Sequence, residues 1–241
     1  MKGGADLESQ ASGVLSAVLR VSADLAVDDA MVVESLAYSM LQSGPEHRAW
    51  LASRTPRQLF VHREPVKVSR SGDVVRLQLN RPERRNAIDA ATRDALLDAF
   101  AIAEADPAVT IEWSGAGPAF CSGGDLDEFG TLRDPVSAHF IRTTRSLGAA
   151  VHRLRDRITV RMHGHCAGAG IELPAFAGRI IADPGTTFLL PELAMGLIPG
   201  AGGTVSLPRR IGATRTELLA VSGEPIDAST ALEWGLVDEL G

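Results

Sequence analysis

The period of the hydrophobic positions changes once along the chain. Between residues 9 and 43, Leu15, Val18, Leu19 and Leu25, then Met31, Val32, Leu36 and Met40, recur at roughly helical spacing. Val27-Asp28-Asp29 reads as the start of a second helix, because acidic residues suit a first turn. Ser43-Gly44-Pro45 closes that piece, and PEHRAWLASR predicts a further short helix. Residues 52–64 read as a connector. From about residue 66 the pattern becomes strand-like: VKVSR and VVRLQL, split by Ser71-Gly72-Asp73, predict a hairpin. RPERRNA is a loop, and Asp89 is placed to cap a helix over residues 90–104. VTIEW, ITVRMHG, RIIAD and TFLL predict strands, while residues 171–176 and TRTELLAVSG predict helices. Strands and helices alternate, which favours a layered α/β domain. The expected division is a helical segment at 1–63 and a core at 64–241.

Bulk properties narrow the function classes. The 241 residues, 45% hydrophobic and 22% charged, describe an ordinary globular protein able to bury a sizeable core without staples. Cys121 and Cys166 are the only cysteines, which argues against a disulfide framework and fits a reducing, cytoplasmic setting. The amino terminus MKGGADLESQ has no apolar run of the secretory kind, and no stretch of about 18 apolar residues would span a membrane. A net charge of −6 makes nucleic acid an unsuitable partner. An anionic ligand would need local cations, and RPERR offers three arginines: Arg81, Arg84 and Arg85.

Three glycine-containing stretches carry the candidate chemistry: GPAFCSGGDL (117–126), HGHCAGAGIELP (163–174) and LPELAMGLIPGAGGT (190–204). Singly, each reads as tight-turn chemistry. Familiar motifs fail on them. Leu173 occupies the third small position that a dinucleotide fingerprint requires, GAGGT lacks the lysine of a phosphate loop, and Phe120 replaces the first glycine of a nucleophile elbow. What remains is two bends, at Gly124 and Ala169, each before an expected helix and each able to leave a backbone N–H unpaired. Two such donors converging on one oxygen make an oxyanion hole. Glu172 and Glu192 stand in apolar surroundings, IELPAF and LLPELAM, where a carboxylate needs a partner. Each could be a salt bridge or a cap; together they could share acid and base work around one water. Cys121 has no basic neighbour to make it reactive, His163 and His165 lack a ligand cluster for a metal, and Asp125 is suited to fixing its own loop.

These pieces, in order, resemble the enoyl-CoA hydratase/isomerase (crotonase) superfamily. LNRPERRNAID (79–89), GAGPAFCSGGDL (115–126), HGHCAGAGIELPAFAGRIIAD (163–183), PELAMGLIPGAGGT (191–204) and ALEWGLVDEL (231–240) carry the resemblance, which covers residues 66–241. It implies a spiral of repeated ββα units, here with an additional N-terminal helical segment. It also implies an acyl-CoA thioester as ligand, with its carbonyl held by the N–H groups of Gly124 and Ala169. Glu172 and Glu192 fall on both acid/base positions of the family's hydratases. Ala87, Arg84, Arg85, Gly123, Asp125 and Leu126 fall in segments that contact coenzyme A, which is part of the substrate; no metal or separate cofactor is implied. A homo-oligomer, trimer or hexamer, is implied as well.

The resemblance points to hydration of a 2-enoyl-CoA across C2–C3. A one-glutamate isomerase and a non-catalytic acyl-CoA-binding subunit stand as alternatives. Ala169 replaces a usual glycine, which is tolerable only at negative φ. The chain ends soon after GLVDEL, where family members continue through C-terminal helices. The stretch around VDDAMVVESLAYSMLQSGPEHRAWLASRTPR, which includes Glu34, reads either as those helices relocated to the front, packing at a subunit interface, or as an unrelated appendage.

Overall fold

A computed structural model describes residues 9–55 and 63–241. Three helices come first: α1 (Gln10–Val21), α2 (Val27–Gln42) and α3 (Pro45–Ala52). They form where the periodicity places them, and Ser9 caps α1 by accepting from Ser12 N–H at 3.1 Å. The middle of the expected connector, residues 56–62, lies outside the described residues.

The core opens with the hairpin β1 (Val66–Ser71) and β2 (Val74–Leu79), then α4 (Ala90–Ala105) and β3 (Thr110–Gly115). Asp89 caps α4 as its position predicts, accepting from Thr92 N–H at 2.8 Å. Next come α5 (Pro135–Thr144), α6 (Leu147–Arg153), β4 (Ile158–Met162), β5 (His165–Ala167) and α7 (Ala169–Glu172). The chain continues with β6 (Arg179–Ala182), β7 (Thr187–Leu189), α8 (Gly203–Ile211), α9 (Ala213–Ser222), β8 (Ile226–Asp227), α10 (Ala228–Trp234) and β9 (Glu239–Leu240).

Two sheets result, one ordered β1-β2-β3-β4-β6-β9 and one ordered β5-β7-β8. The larger sheet is parallel after its opening hairpin. Successive turns explain the pairing: β4 enters the large sheet, β5 the small one, and α7 follows; β6, β7 and α8 repeat that path. This is a spiral of ββα units, the fold expected. Val75, Leu77 and Leu79 alternate inward along β2, and Ile158, Val160 and Met162 along β4. Trp113 anchors the core, with Phe100 and Phe120 at 5.7 and 5.6 Å in edge-on contact.

Residues 9–55 pack on this core. α1 buries Ala11, Leu15, Val18 and Leu19 against α8 and α9, while α2 lies on α5 and α8. Arg142 of α5 stitches the second contact, donating to Ser35 Oγ at 3.2 Å and to Gln42 Oε1 at 3.1 Å. His47 of α3 bonds the Met195 carbonyl at 2.9 Å. No helix among the described residues is long and apolar enough to cross a membrane.

Candidate active site

The bend at Gly124 is built by a short parallel bridge to Ile88. Ile88 N–H donates to the Gly123 carbonyl at 2.8 Å, and Asp125 N–H to the Ile88 carbonyl at 2.9 Å. That ladder consumes the neighbours and leaves Gly124 N–H without a partner among the described residues. A run of turns follows Gly124, not the helix expected there. Ala169 N–H is likewise unpaired, at the first residue of α7. Ala169 has a negative φ, because Gly168 before it takes the strained conformation (φ 50°, ψ −125°), so its methyl is accommodated. The helix expected over 171–176 begins two residues early at Ala169 and breaks at Pro174 into a 3-10 turn. The two bends touch: Ala167 N–H donates to the Cys121 carbonyl at 3.1 Å, and a β-carbon at Gly123 would lie 3.6 Å from Ala169 N.

Gly124, Ala169, Glu172 and Glu192 line one cleft of about 420 Å³. Glu172 ends α7 and is 2% exposed; its Oε2 accepts from Ala201 N–H at 2.7 Å and Gly203 N–H at 2.9 Å. Glu192 opens the Glu192–Met195 turn, with Oε2 buried and without a partner among the described residues. A β-carbon at Gly168 would collide with Glu192 Oε1 and lie 3.8 Å from Glu172 Oε1, so both carboxyl groups surround one point. Burial pushes Glu192 up to about 8, with the charge of Glu34 adding to it. Burial, then Glu192 and Glu34, push Glu172 well above the carboxylate range, opposed by the amides of Ala201 and Gly203.

Polar side chains that were not among the candidates drawn from sequence also line the cleft wall, Tyr38, Gln42, Arg93 and Arg142 among them. Glu34 stands immediately behind them, buried, and raised to about 7 by burial against hydrogen bonds from Thr204 and Gly202. Its signal was a lone acid inside an apolar helical run, VVESLAY.

A second lobe of the cleft runs outward past Gly124 and includes Arg54, Arg84, Arg85, Ala87, Asp125 and Leu126 in its wall. The cluster of three arginines does not survive. Arg81 is 1% exposed and paired with Asp125 at 2.8 Å and Asp89 at 3.0 Å, so it ties loops together from inside the fold. Arg84 pairs with Asp127 at 2.7 Å, and Arg54 joins from the N-terminal segment. Asp125 reaches the lobe's wall but spends its carboxylate on Arg81. Gly123 is buried behind the wall, its carbonyl taken by Ile88. Burial raises the Cys121 thiol to about 12 and pushes Cys166 higher still, so neither is poised as a thiolate. His163 and His165 are bonded to Gly117 O and Thr187 Oγ1.

The family model described as enoyl-CoA hydratase/isomerase matches residues 69–240. The chain belongs to the enoyl-CoA hydratase/isomerase family. It is 32% identical over 174 residues to a 2,3-dehydroadipyl-CoA hydratase of Escherichia coli, covering 72% of this chain and 68% of that one. It is 33% identical over 177 residues to a mitochondrial enoyl-CoA hydratase of Pongo abelii, covering 72% and 60%. Among solved structures, an enoyl-CoA hydratase from Thermoplasma volcanium matches with a TM-score of 0.66 at 33% identity, covering 73% and 71%. One from Mycobacterium smegmatis matches at 0.67 and 31%, covering 73% and 69%. The matched stretch therefore spans roughly two thirds of the relatives' lengths, and α1 to α3 lie outside the family match. Members of this family act on acyl-CoA thioesters.

Proposed function

We propose that this protein hydrates a 2-enoyl-CoA across its C2–C3 double bond. One observation carries the reading: two unpaired amides, at Gly124 and Ala169, share a cleft with two carboxyl groups set around one point. The amides polarise the thioester carbonyl and stabilise the enolate-like charge that develops during attack, each donor being worth about 2.7–4 kcal/mol to a transition state. Burial raises both Glu172 and Glu192, and the charge of Glu192 raises Glu172 further, which supports a pair that divides acid and base work. The N–H groups of Ala201 and Gly203 oppose the burial that raises Glu172, which supports Glu172 as the base of the pair. Glu172 takes a proton from water as its oxygen adds to C3, and the protonated Glu192 delivers one to C2. The outer lobe, with Arg54, Arg84 and Arg85, receives the anionic end of coenzyme A. This chemistry calls on no metal or redox group.

Crotonyl-CoA hydration, followed as loss of enoyl absorbance, tests the reading. Glu172→Gln and Glu192→Gln each lower turnover by about 10²- to 10⁴-fold, the range for losing a positioned acid or base, with CoA binding retained. Conversion of a 3-enoyl-CoA without hydration would replace this reading by an isomerase. Binding without turnover would leave an acyl-CoA-binding subunit.

Two companion readings follow. Residues 9–55 take the place of the family's C-terminal helices, supported by the seating of α2 against α8 and the cleft. A chain with residues 1–63 moved behind Gly241 through a flexible linker then folds and turns over; failure of that chain to fold would favour an appendage. The protein also self-associates as a trimer or hexamer. Val32, Leu36 and Met40 on α2, with Val136 and Phe140 on α5, leave apolar side chains 41–60% exposed, as faces buried between copies do. Sedimentation of a monomer at micromolar concentration would remove that reading.

A further inference from the structure

Two glutamates from opposite halves of the chain divide the amides of one turn. In the 201–204 turn, Ala201 and Gly203 N–H donate to Glu172 Oε2 at 2.7 and 2.9 Å. The intervening Gly202 N–H donates to Glu34 Oε1 at 2.7 Å, and Thr204 N–H to Glu34 Oε2 at 2.9 Å. Thr204 Oγ1 adds a third bond to Glu34 at 2.7 Å. Glu172 and Glu34 are each 2% exposed, and the turn opens α8. The backbone between the two carboxylates therefore has no freedom to follow one without the other. A β-carbon at Gly203 would strike Glu172 Cγ and Oε2 at 2.6 Å, so Glu172 is seated directly on this backbone.

We propose that Glu34 is a positioning residue that fixes the Glu172 carboxylate in place by holding the 201–204 turn from its other side. Glu34 belongs to α2, outside the family match, so a residue of the N-terminal segment governs an acid/base group of the core. It touches no reacting atom. Its influence is geometric through the turn and electrostatic through its charge. The groups facing this set are Glu192 from its turn, Tyr38 from α2, Arg142 from α5 and the protonated Cys121 from its loop. Tyr38 is pushed upward by burial and by all three glutamates, so it stays a neutral phenol. Removing the Glu34 charge then lowers the titrations of both Glu172 and Glu192, since that charge raises each.

The rate consequence rests on the hydration reading; the titration consequence does not. In the full-length chain, Glu34→Gln lowers kcat for crotonyl-CoA by about 10- to 100-fold, the scale for a misplaced catalytic group, and leaves KM within about threefold. In the same variant the Glu172 and Glu192 carboxyl titrations, followed by ¹³C NMR and assigned with the single Gln variants, move down. Glu34→Asp, which restores the charge, returns both titrations towards wild type. A folded Glu34→Gln with unmoved titrations overturns the proposal, as does unchanged kcat in an active protein. Should Glu34→Gln not fold, Thr204→Val decides. It deletes one bond to Glu34 at constant volume and keeps the Glu34 charge, so it loosens the turn alone and lets the Glu172 titration rise as the Ala201 and Gly203 amides slacken; no movement overturns the proposal. A wild type that never hydrates crotonyl-CoA removes the hydration reading, while the titrations still decide the role of Glu34.

Discussion

Tyr38 packs Cδ2 and Cε2 of its ring onto the backbone of Gly200 so closely that a β-carbon there would overlap both. The guanidinium of Arg142 covers the ring, 4.7 Å from its centroid. A helix outside the family match thus closes the cleft against the LIPGAGGT segment, and only glycine at position 200 permits it.

Gly200→Ala forces the Tyr38 ring to move, an overpacking change that costs about 1–3 kcal/mol. Adding Tyr38→Ala removes the clash, so the pair is strongly non-additive in denaturant unfolding. Additive losses within about 0.5 kcal/mol would mean that ring and glycine do not constrain each other. Turnover falls with the single change, because the cleft wall moves.

The buried glutamates make stability depend on pH in a defined direction. Glu34 titrates at about 7 and Glu192 at about 8 in the folded chain, against a carboxylate value of 4.5 when unfolded. Between those values the folded state binds more protons than the unfolded state, so stability falls as pH rises from about 4.5 through 8. Each unit of displacement corresponds to about 1.4 kcal/mol. Glu192→Gln removes one such group: its urea midpoint exceeds that of the wild type at pH 8.5, and the advantage shrinks towards pH 5. An advantage that grew on acidification would reverse the sign of the burial effect. Activity and stability then pull apart at Glu192, as they do where a charge is buried for chemistry.

Long periodic elements were legible because burial on one face writes itself into spacing. The hairpin of β1 and β2, the Asp89 cap of α4 and the helices of residues 9–43 follow from such patterns. α8 was not legible: it starts on Gly203 and carries Pro208 inside, so its propensity argues against the helix that tertiary contacts enforce. α5 and α6 begin at caps, Asp134 and Ser146, that resemble ordinary loop residues. Within the site, Gly124, Ala169, Glu172 and Glu192 could be named because they stand in glycine-rich stretches or apolar surroundings. Tyr38, Arg142 and the role of Glu34 could not. Their meaning depends on α2 meeting α5 and α8, a contact between residues more than a hundred positions apart that no local pattern encodes.

The arginines of the RPERR loop separate stability from ligand binding. Arg81 is buried between Asp125 and Asp89 and also donates to the Ala87 carbonyl, so it holds the loop carrying Gly124 against the start of α4. Arg81→Met leaves two partly buried carboxylates without their cation and destabilises the fold by about 3–5 kcal/mol. Arg85 is exposed at the outer lobe, in the left-handed conformation (φ 50°). Arg85→Ala changes stability by less than about 0.5 kcal/mol, as surface substitutions do. It raises KM for crotonyl-CoA several-fold at low salt, and the difference narrows at high salt, where exposed charges are screened. Thermal unfolding and steady-state kinetics on the two variants distinguish the roles. A stable Arg81→Met with a raised KM, or an Arg85→Ala with unaltered KM at every ionic strength, would return Arg81 to the ligand and take Arg85 from it.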